Sequence, residues 1–83
     1  MATELEVLET IRTLARTELE MERPIGPADD LMRDLALDSL GLTVLAVGLE
    51  NRFRVKLTEE DASTVRTVGD LARQVAQRTL ETP

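Results

Sequence analysis

Eighty-three residues are enough for one domain, near the size at which a chain first buries enough surface to fold alone. With no cysteine and no histidine, the chain has no disulfide, no thiolate metal site and none of the commonest general bases or metal ligands, so neither an enzyme nor a metal protein is expected. Its net charge of −6 disfavours nucleic acid, which needs clustered Lys and Arg, and favours basic protein surfaces as partners. Hydrophobic residues make up 42% and Phe53 is the lone aromatic, so the core must be aliphatic. No apolar run reaches membrane-spanning length, and the N-terminus lacks a positive-then-apolar signal pattern. A cytoplasmic monomer forming a single domain over 1–83 is expected.

Thr3-Glu4-Leu5-Glu6 reads as a capping box. Leu5, Leu8, Ile11, Ala15 and Leu19, with Val7 and Leu14 beside them, then follow helical spacing. The spacing predicts an amphipathic first helix from about Glu4 to Glu20. From Met21 to Asp38 the pattern breaks at Pro24, Gly26 and Pro27, with a turn expected at Pro27-Ala28-Asp29-Asp30. A structureless stretch this long is uncommon unless it is functional or pinned. Leu31, Met32, Leu35 and Leu37 are the expected pins. Residues 20–38 hold six acids and two bases, against one acid and three bases in 39–57, so acidity is concentrated before Ser39.

Asp38 or Ser39 is placed to cap a second helix, from Ser39 to about Arg54. Leu42, Leu45, Leu49 and Phe53, with Ala46 beside them, form its expected core face. Leu40, Val44 and Val47 make a second apolar row, flanked by Gly41 and Gly48, each costing roughly 1 kcal/mol against alanine in a helix interior. A helix apolar on two sides is buried on both or keeps one for a partner. Thr58-Glu59-Glu60-Asp61 opens a short third helix to about Thr64. Thr67-Val68-Gly69-Asp70 opens a fourth, with Val68, Leu71, Ala72, Val75 and Ala76 carrying it to Leu80. The expected fold is an all-α four-helix bundle with a long loop between helices 1 and 2 and a short third helix.

Ser39 is poorly suited to nucleophilic catalysis, which needs a base and an oxyanion site. A helix start does suit a phosphate ester, because its unpaired amides and partial positive charge face the anion. A hydroxyl modified by another protein's active site needs exposure and not activation.

The run Leu31-Met32-Arg33-Asp34-Leu35-Ala36-Leu37-Asp38-Ser39-Leu40 resembles the signature of acyl carrier proteins and their peptidyl and aminoacyl relatives. The similarity continues through Leu49-Glu50-Asn51-Arg52-Phe53, Val55-Lys56-Leu57 and Thr67-Val68-Gly69-Asp70-Leu71. It implies a 4′-phosphopantetheine arm, moved from coenzyme A onto Ser39 by a phosphopantetheinyl transferase that recognises the motif including Asp38. The arm's thiol would carry an acyl or aminoacyl thioester to loading and processing enzymes. The family often draws an acyl chain in between the second and third helices. Docking would fall on Leu40, Gly41, Val44, Val47 and Glu50.

The departures are specific. Gly41 and Val44 stand where carriers of fatty acid synthesis usually have acids, and Ala36 occupies a position commonly filled by glycine. The pattern points to more apolar, less salt-sensitive partner recognition and to a dedicated pathway, in fatty acid, polyketide or other specialised biosynthesis. A peptidyl or aminoacyl carrier of a nonribosomal-type pathway stays open at this point. So does an unmodified helical adaptor that docks a partner through its second helix, with Ser39 only a cap.

Overall fold

The computed structural model describes residues 3–81; the side chains of residues 59, 62, 80 and 81 lie outside that description. Four helices follow in order: α1 (Glu4–Glu18), α2 (Ser39–Phe53), α3 (Glu59–Thr64) and α4 (Val68–Glu81). The all-α bundle expected from the pattern is therefore the fold, with α1 packed on both α4 and α2, and α2 meeting α4 more lightly.

Local capping explains where the helices begin. The Thr3 hydroxyl accepts the Glu6 amide at 3.1 Å, the hydroxyl half of the expected box. At α3 the box is reciprocal: the Asp61 amide donates to Thr58 Oγ1 and the Thr58 amide to Asp61 Oδ2, both at 3.0 Å. Thr67 and Asp70 repeat it at α4, at 3.1 and 3.2 Å. Helix ends follow from left-handed residues. Glu20 has φ 55°, and the Met21 amide turns back to the Ala15 carbonyl, so α1 stops at Glu18, short of the expected Glu20. Arg54, also at φ 55°, ends α2, with the Val55 amide reaching the Glu50 carbonyl as in a Schellman cap.

The core is aliphatic, and Val7, Ile11, Leu31, Leu45, Leu49, Val68 and Val75 are the largest side chains fully inside it. Two expected core members are outside. Leu5 is 64% exposed, because α2 and α4 meet α1 along Val7, Ile11 and Ala15 and leave the Leu5 edge in solvent. Met32 is 57% exposed, while Leu31, Leu35 and Leu37 do pin the loop. A side chain absent from the expected set, Ile25, is a further buried pin.

The long loop is laced to the start of α4. The Val68 and Gly69 amides donate to the Asp29 and Pro27 carbonyls at 2.9 and 2.8 Å, and the Leu31 amide donates to the Arg66 carbonyl at 2.9 Å. Asp30 and Thr67 thereby pair as an isolated antiparallel bridge. From α1, Arg12 Nε donates to the Ile25 carbonyl at 2.7 Å. The turn itself spans Gly26 to Asp29, one residue before the expected register, because Asp29 closes it twice: its amide donates to the Gly26 carbonyl and its carboxylate accepts the Gly26 amide.

Gly69 is the closest point of this seam. A Cβ there would stand 2.9 Å from the Pro27 carbonyl oxygen and 3.2 Å from its Cβ, and backbone atoms cannot swing aside. Gly69→Ala should therefore lower stability by about 1–3 kcal/mol in urea denaturation, although alanine is the better helix former. Gly26→Ala, whose Cβ would meet nothing nearer than 4.0 Å, should cost less.

Three carboxyls are held below their ordinary value of 3.8: Asp30 chiefly by the Arg33 amide, Asp61 by the Thr58 amide and then Arg78, and Asp70 by the amides of Thr67 and Arg66. A lowered folded value stabilises the fold above the unfolded pKa and is lost as pH falls through the folded one. Denaturation midpoints should thus hold steady near neutrality and fall as pH drops below about 4. Asp61→Asn, already without that charge, should show a shallower fall.

Candidate functional site

Ser39 occupies the first position of α2 and is exposed. Asp38, not Ser39, is the cap: its Oδ1 accepts the Gly41 amide at 2.7 Å and its carbonyl accepts the Leu42 amide. With those two amides taken, the Ser39 and Leu40 amides remain at the positive end of the helix, beside the Ser39 hydroxyl. The first turn of the helix itself holds no acidic residue, and the adjoining Asp38 carboxylate is engaged by the Gly41 amide. The arrangement favours an anion bonded to the Ser39 oxygen and offers no base to activate that oxygen.

The approach to Ser39 is built by the loop. Asp30 Oδ1 accepts the Met32 and Arg33 amides at 2.9 and 2.8 Å, nucleating a single helical turn. That turn rotates Leu31 inward and Met32 outward. Arg23 donates to the Asp34 carbonyl and the Leu37 amide to the Leu31 carbonyl. Between the buried Leu35 and Leu37 the chain passes through Ala36 at φ 53°, a left-handed conformation that lets both leucines point into the core. The position the family commonly gives to glycine is thus one whose geometry favours glycine.

A cavity of about 480 Å³ opens beside Ser39. Leu42, Thr43, Ala46, Val47 and Glu50 of α2 form one side, and Leu57, Thr58, Asp61, Val65, Leu71 and Gln74 close it. Among the described residues no cluster of carboxylates is arranged to hold a metal ion, and no helix is long and apolar enough to cross a membrane.

The five residues expected on a docking surface are not all together. Leu40 is 71% and Val47 46% exposed, and Val44 between them is half-buried. Gly41 is buried, because the face of α2 that carries it lies over Leu37 and the Asp38 cap, where a Cβ would come within 3.2 Å of Leu37. Glu50 turns inward, its Oε2 accepting the Leu57 amide at 2.8 Å. The outward row is therefore Leu40, Val44 and Val47 alone.

One polar network escaped the pattern reading. Asp61 is 7% exposed and receives Gln74 Nε2 at 2.8 Å and Arg78 on the same oxygen, Oδ1. Its trace in the sequence is that α4's row Leu71, Gln74, Arg78 keeps helical spacing while changing from apolar to polar.

Comparison with known proteins bears on this geometry. A family model described as phosphopantetheine attachment site matches residues 9–75. An acyl carrier protein of Kineococcus radiotolerans is 32% identical over 78 residues, covering 93% of this chain and 96% of that protein. The meromycolate extension acyl carrier protein of Mycobacterium leprae is 36% identical over 59 residues, which cover 71% of this chain and 51% of that protein. A solved Mycobacterium tuberculosis chain with a provisional acyl-carrier assignment superposes with TM-score 0.79 at 34% identity, over 86% of this chain and 96% of its own.

Because Ala36 is held at φ 53°, Ala36→Gly should raise the urea midpoint by the equivalent of about 0.5–1 kcal/mol, despite glycine's greater unfolded-state entropy. A lowered midpoint would show the opposite balance.

Proposed function

The chain belongs to the phosphopantetheine-carrying acyl carrier protein family, a family of non-catalytic carriers, and from that membership we propose that Ser39 is the attachment point within a single carrier domain spanning 1–83. The observation that carries the assignment is the exposed Ser39 hydroxyl at the amide-rich start of α2, beside the mouth of the cavity. The Ser39 oxygen forms a phosphoester with the pantetheine phosphate of coenzyme A, the pyrophosphate bond breaks, and the nucleotide half leaves. The transferase takes the serine proton, since this chain has no histidine and no base aimed at Ser39. When attached, the arm supplies a thiol that holds cargo as a thioester.

The residues present fit such a group. The free first-turn amides would hold the phosphodiester, and Asp38 keeps the turn formed through its bond to the Gly41 amide. Leu42, Ala46, Val65 and Leu71 give the cavity an apolar wall that can shield an acyl chain from water. The exposed Leu40 and Val47, with half-buried Val44, form the proposed docking row for the transferase and the cargo-handling enzymes.

A dedicated biosynthetic pathway, acting in the cytoplasm, is the finer reading. Its support is the valine at 44 and the lack of any acidic residue in the first turn of α2, which leave the outward row without acids for basic partner surfaces. The name of the Mycobacterium leprae relative, tied to meromycolate extension, is of the same kind.

Incubated with coenzyme A and a broad-specificity phosphopantetheinyl transferase, the protein should gain the mass of one phosphopantetheine. Ser39→Ala should gain none while keeping its helical circular dichroism. Modification of Ser39→Ala, or none of the wild type under conditions that modify a control carrier, would falsify the assignment.

A further inference from the structure

The cavity is not uniformly apolar. Along α2 it runs from Ser39 to Glu50, about 16 Å at the helical rise. Most of its polar groups are gathered at the Glu50 end, in two hydrogen-bonded sets that meet where Leu57 adjoins Thr58 in the chain. Glu50 Oε2 takes the Leu57 amide, Thr58 and Asp61 bond each other through their capping box, and Gln74 Nε2 donates to Asp61 Oδ1.

A carboxylate can only accept, so Gln74 must turn its NH2 group to Asp61, which leaves Gln74 Oε1 as the outward-facing half of that amide. Gln74 Oε1 and Glu50 Oε1 receive no protein donor among the described residues. Asp61 itself is answered by Arg78 and by the Thr58 amide. The far end of the cavity thus offers two carbonyl-type acceptors without a protein donor among the described residues, Gln74 Oε1 and Glu50 Oε1, with the Thr58 hydroxyl as a donor on the same lining.

Resting on the carrier reading of Ser39, we propose that this end selects cargo whose distal part carries a hydrogen-bond donor, a hydroxyl or an amino group, over a plain alkyl chain of equal length. Volume does not make this choice, because about 480 Å³ lies within the range of ordinary ligand sites. Polarity makes it. An alkyl terminus pushed against Glu50 and Gln74 strips water from two acceptors and returns no bond, whereas a donor replaces that water. The apolar wall of Leu42, Ala46 and Leu71 accommodates the methylenes in between. Glu50 and Gln74 are specificity residues in this reading, since the thioester chemistry belongs to the partners.

The test loads the full chain through a transferase with octanoyl-coenzyme A and with its ω-hydroxy and ω-amino analogues. Thioester cleavage by hydroxylamine and the side-chain amide resonances of Gln74 are then followed. The donor-tipped chains should shift the Gln74 resonances and be cleaved roughly three- to tenfold more slowly than octanoyl, the effect of one net hydrogen bond. Gln74→Met and Glu50→Gln should each narrow that difference. Equal or better protection of octanoyl in the wild type, or no protection of any chain, overturns the selectivity and leaves the carrier assignment standing. Failure of any chain to load onto Ser39, seen by intact mass, overturns the assignment and this inference with it.

Discussion

Two backbone amides at the start of α4 set the form of the whole molecule. Val68 and Gly69 are in the first turn of that helix, where amides have no partner within the helix, and they spend themselves on the carbonyls of Asp29 and Pro27. A loop that would otherwise carry a large conformational entropy is tied to a helix by groups that needed acceptors anyway. The return bond from Leu31 to the Arg66 carbonyl fixes the register, and Leu31, Leu35 and Leu37 then enter the core as a set. Ser39 follows two residues after the last of these anchors. Its position is therefore decided by backbone bonds made some thirty residues later in the chain.

Presentation and reactivity are separated at Ser39. The capping work falls to Asp38, which frees the serine hydroxyl from the role that a serine at a helix start usually plays. Its surroundings favour a negative charge bonded to the oxygen, while the carboxylate beside it is committed to the cap and the chain has no histidine to deprotonate it. Those are the requirements of a group modified by another enzyme and then carried, and they agree with the non-catalytic character of the family. A cavity with a partly apolar lining opens beside the same helix, next to the serine.

What could be read directly from the sequence was mostly local. The boxes at Thr58–Asp61 and Thr67–Asp70 span four residues each, and all their bonds close within that span. The helices begin where those boxes place them. Choices between neighbouring side chains were less visible. Along α1, Leu5 and Val7 both fit an apolar helix, and only the directions from which α2 and α4 arrive bury one and expose the other. Leu31 and Met32 were similarly interchangeable until the Asp30 carboxylate fixed the turn that separates them. The Asp61–Arg78 contact joins residues seventeen positions apart on two helices, and periodicity within α4 marks only that its row Leu71, Gln74, Arg78 turns polar, not what that row meets. Glu50 looked like a surface acid because its role depends on Arg54, whose left-handed backbone brings Leu57 back over the last turn of α2.

The glycines of α2 show how that helix acquires two usable faces. As isolated residues Gly41 and Gly48 each weaken the helix, and both were read from the sequence as flanking the outer apolar row. They lie inward. Gly41 sits over Leu37 and the Asp38 carboxylate, and Gly48 lies where a Cβ would come within 2.9 Å of Leu14 on α1. Seven residues apart, the two fall on one side of the helix, with Leu45 between them buried in the core. Missing side chains on that side let α2 approach both the loop and α1, and the approach fixes its rotation about its own axis. Once that rotation is set, Leu40 and Val47 must face solvent, Thr43 and Ala46 must face the cavity, and Ser39 must stand at its mouth. An acid at position 41 would add a side chain on the buried side, against Leu37 and the carboxylate that caps the helix. The glycine that takes this chain away from the acidic pattern of fatty acid carriers is therefore also the residue that its close packing on Leu37 favours, and the exposed apolar row is a consequence of the packing beneath it.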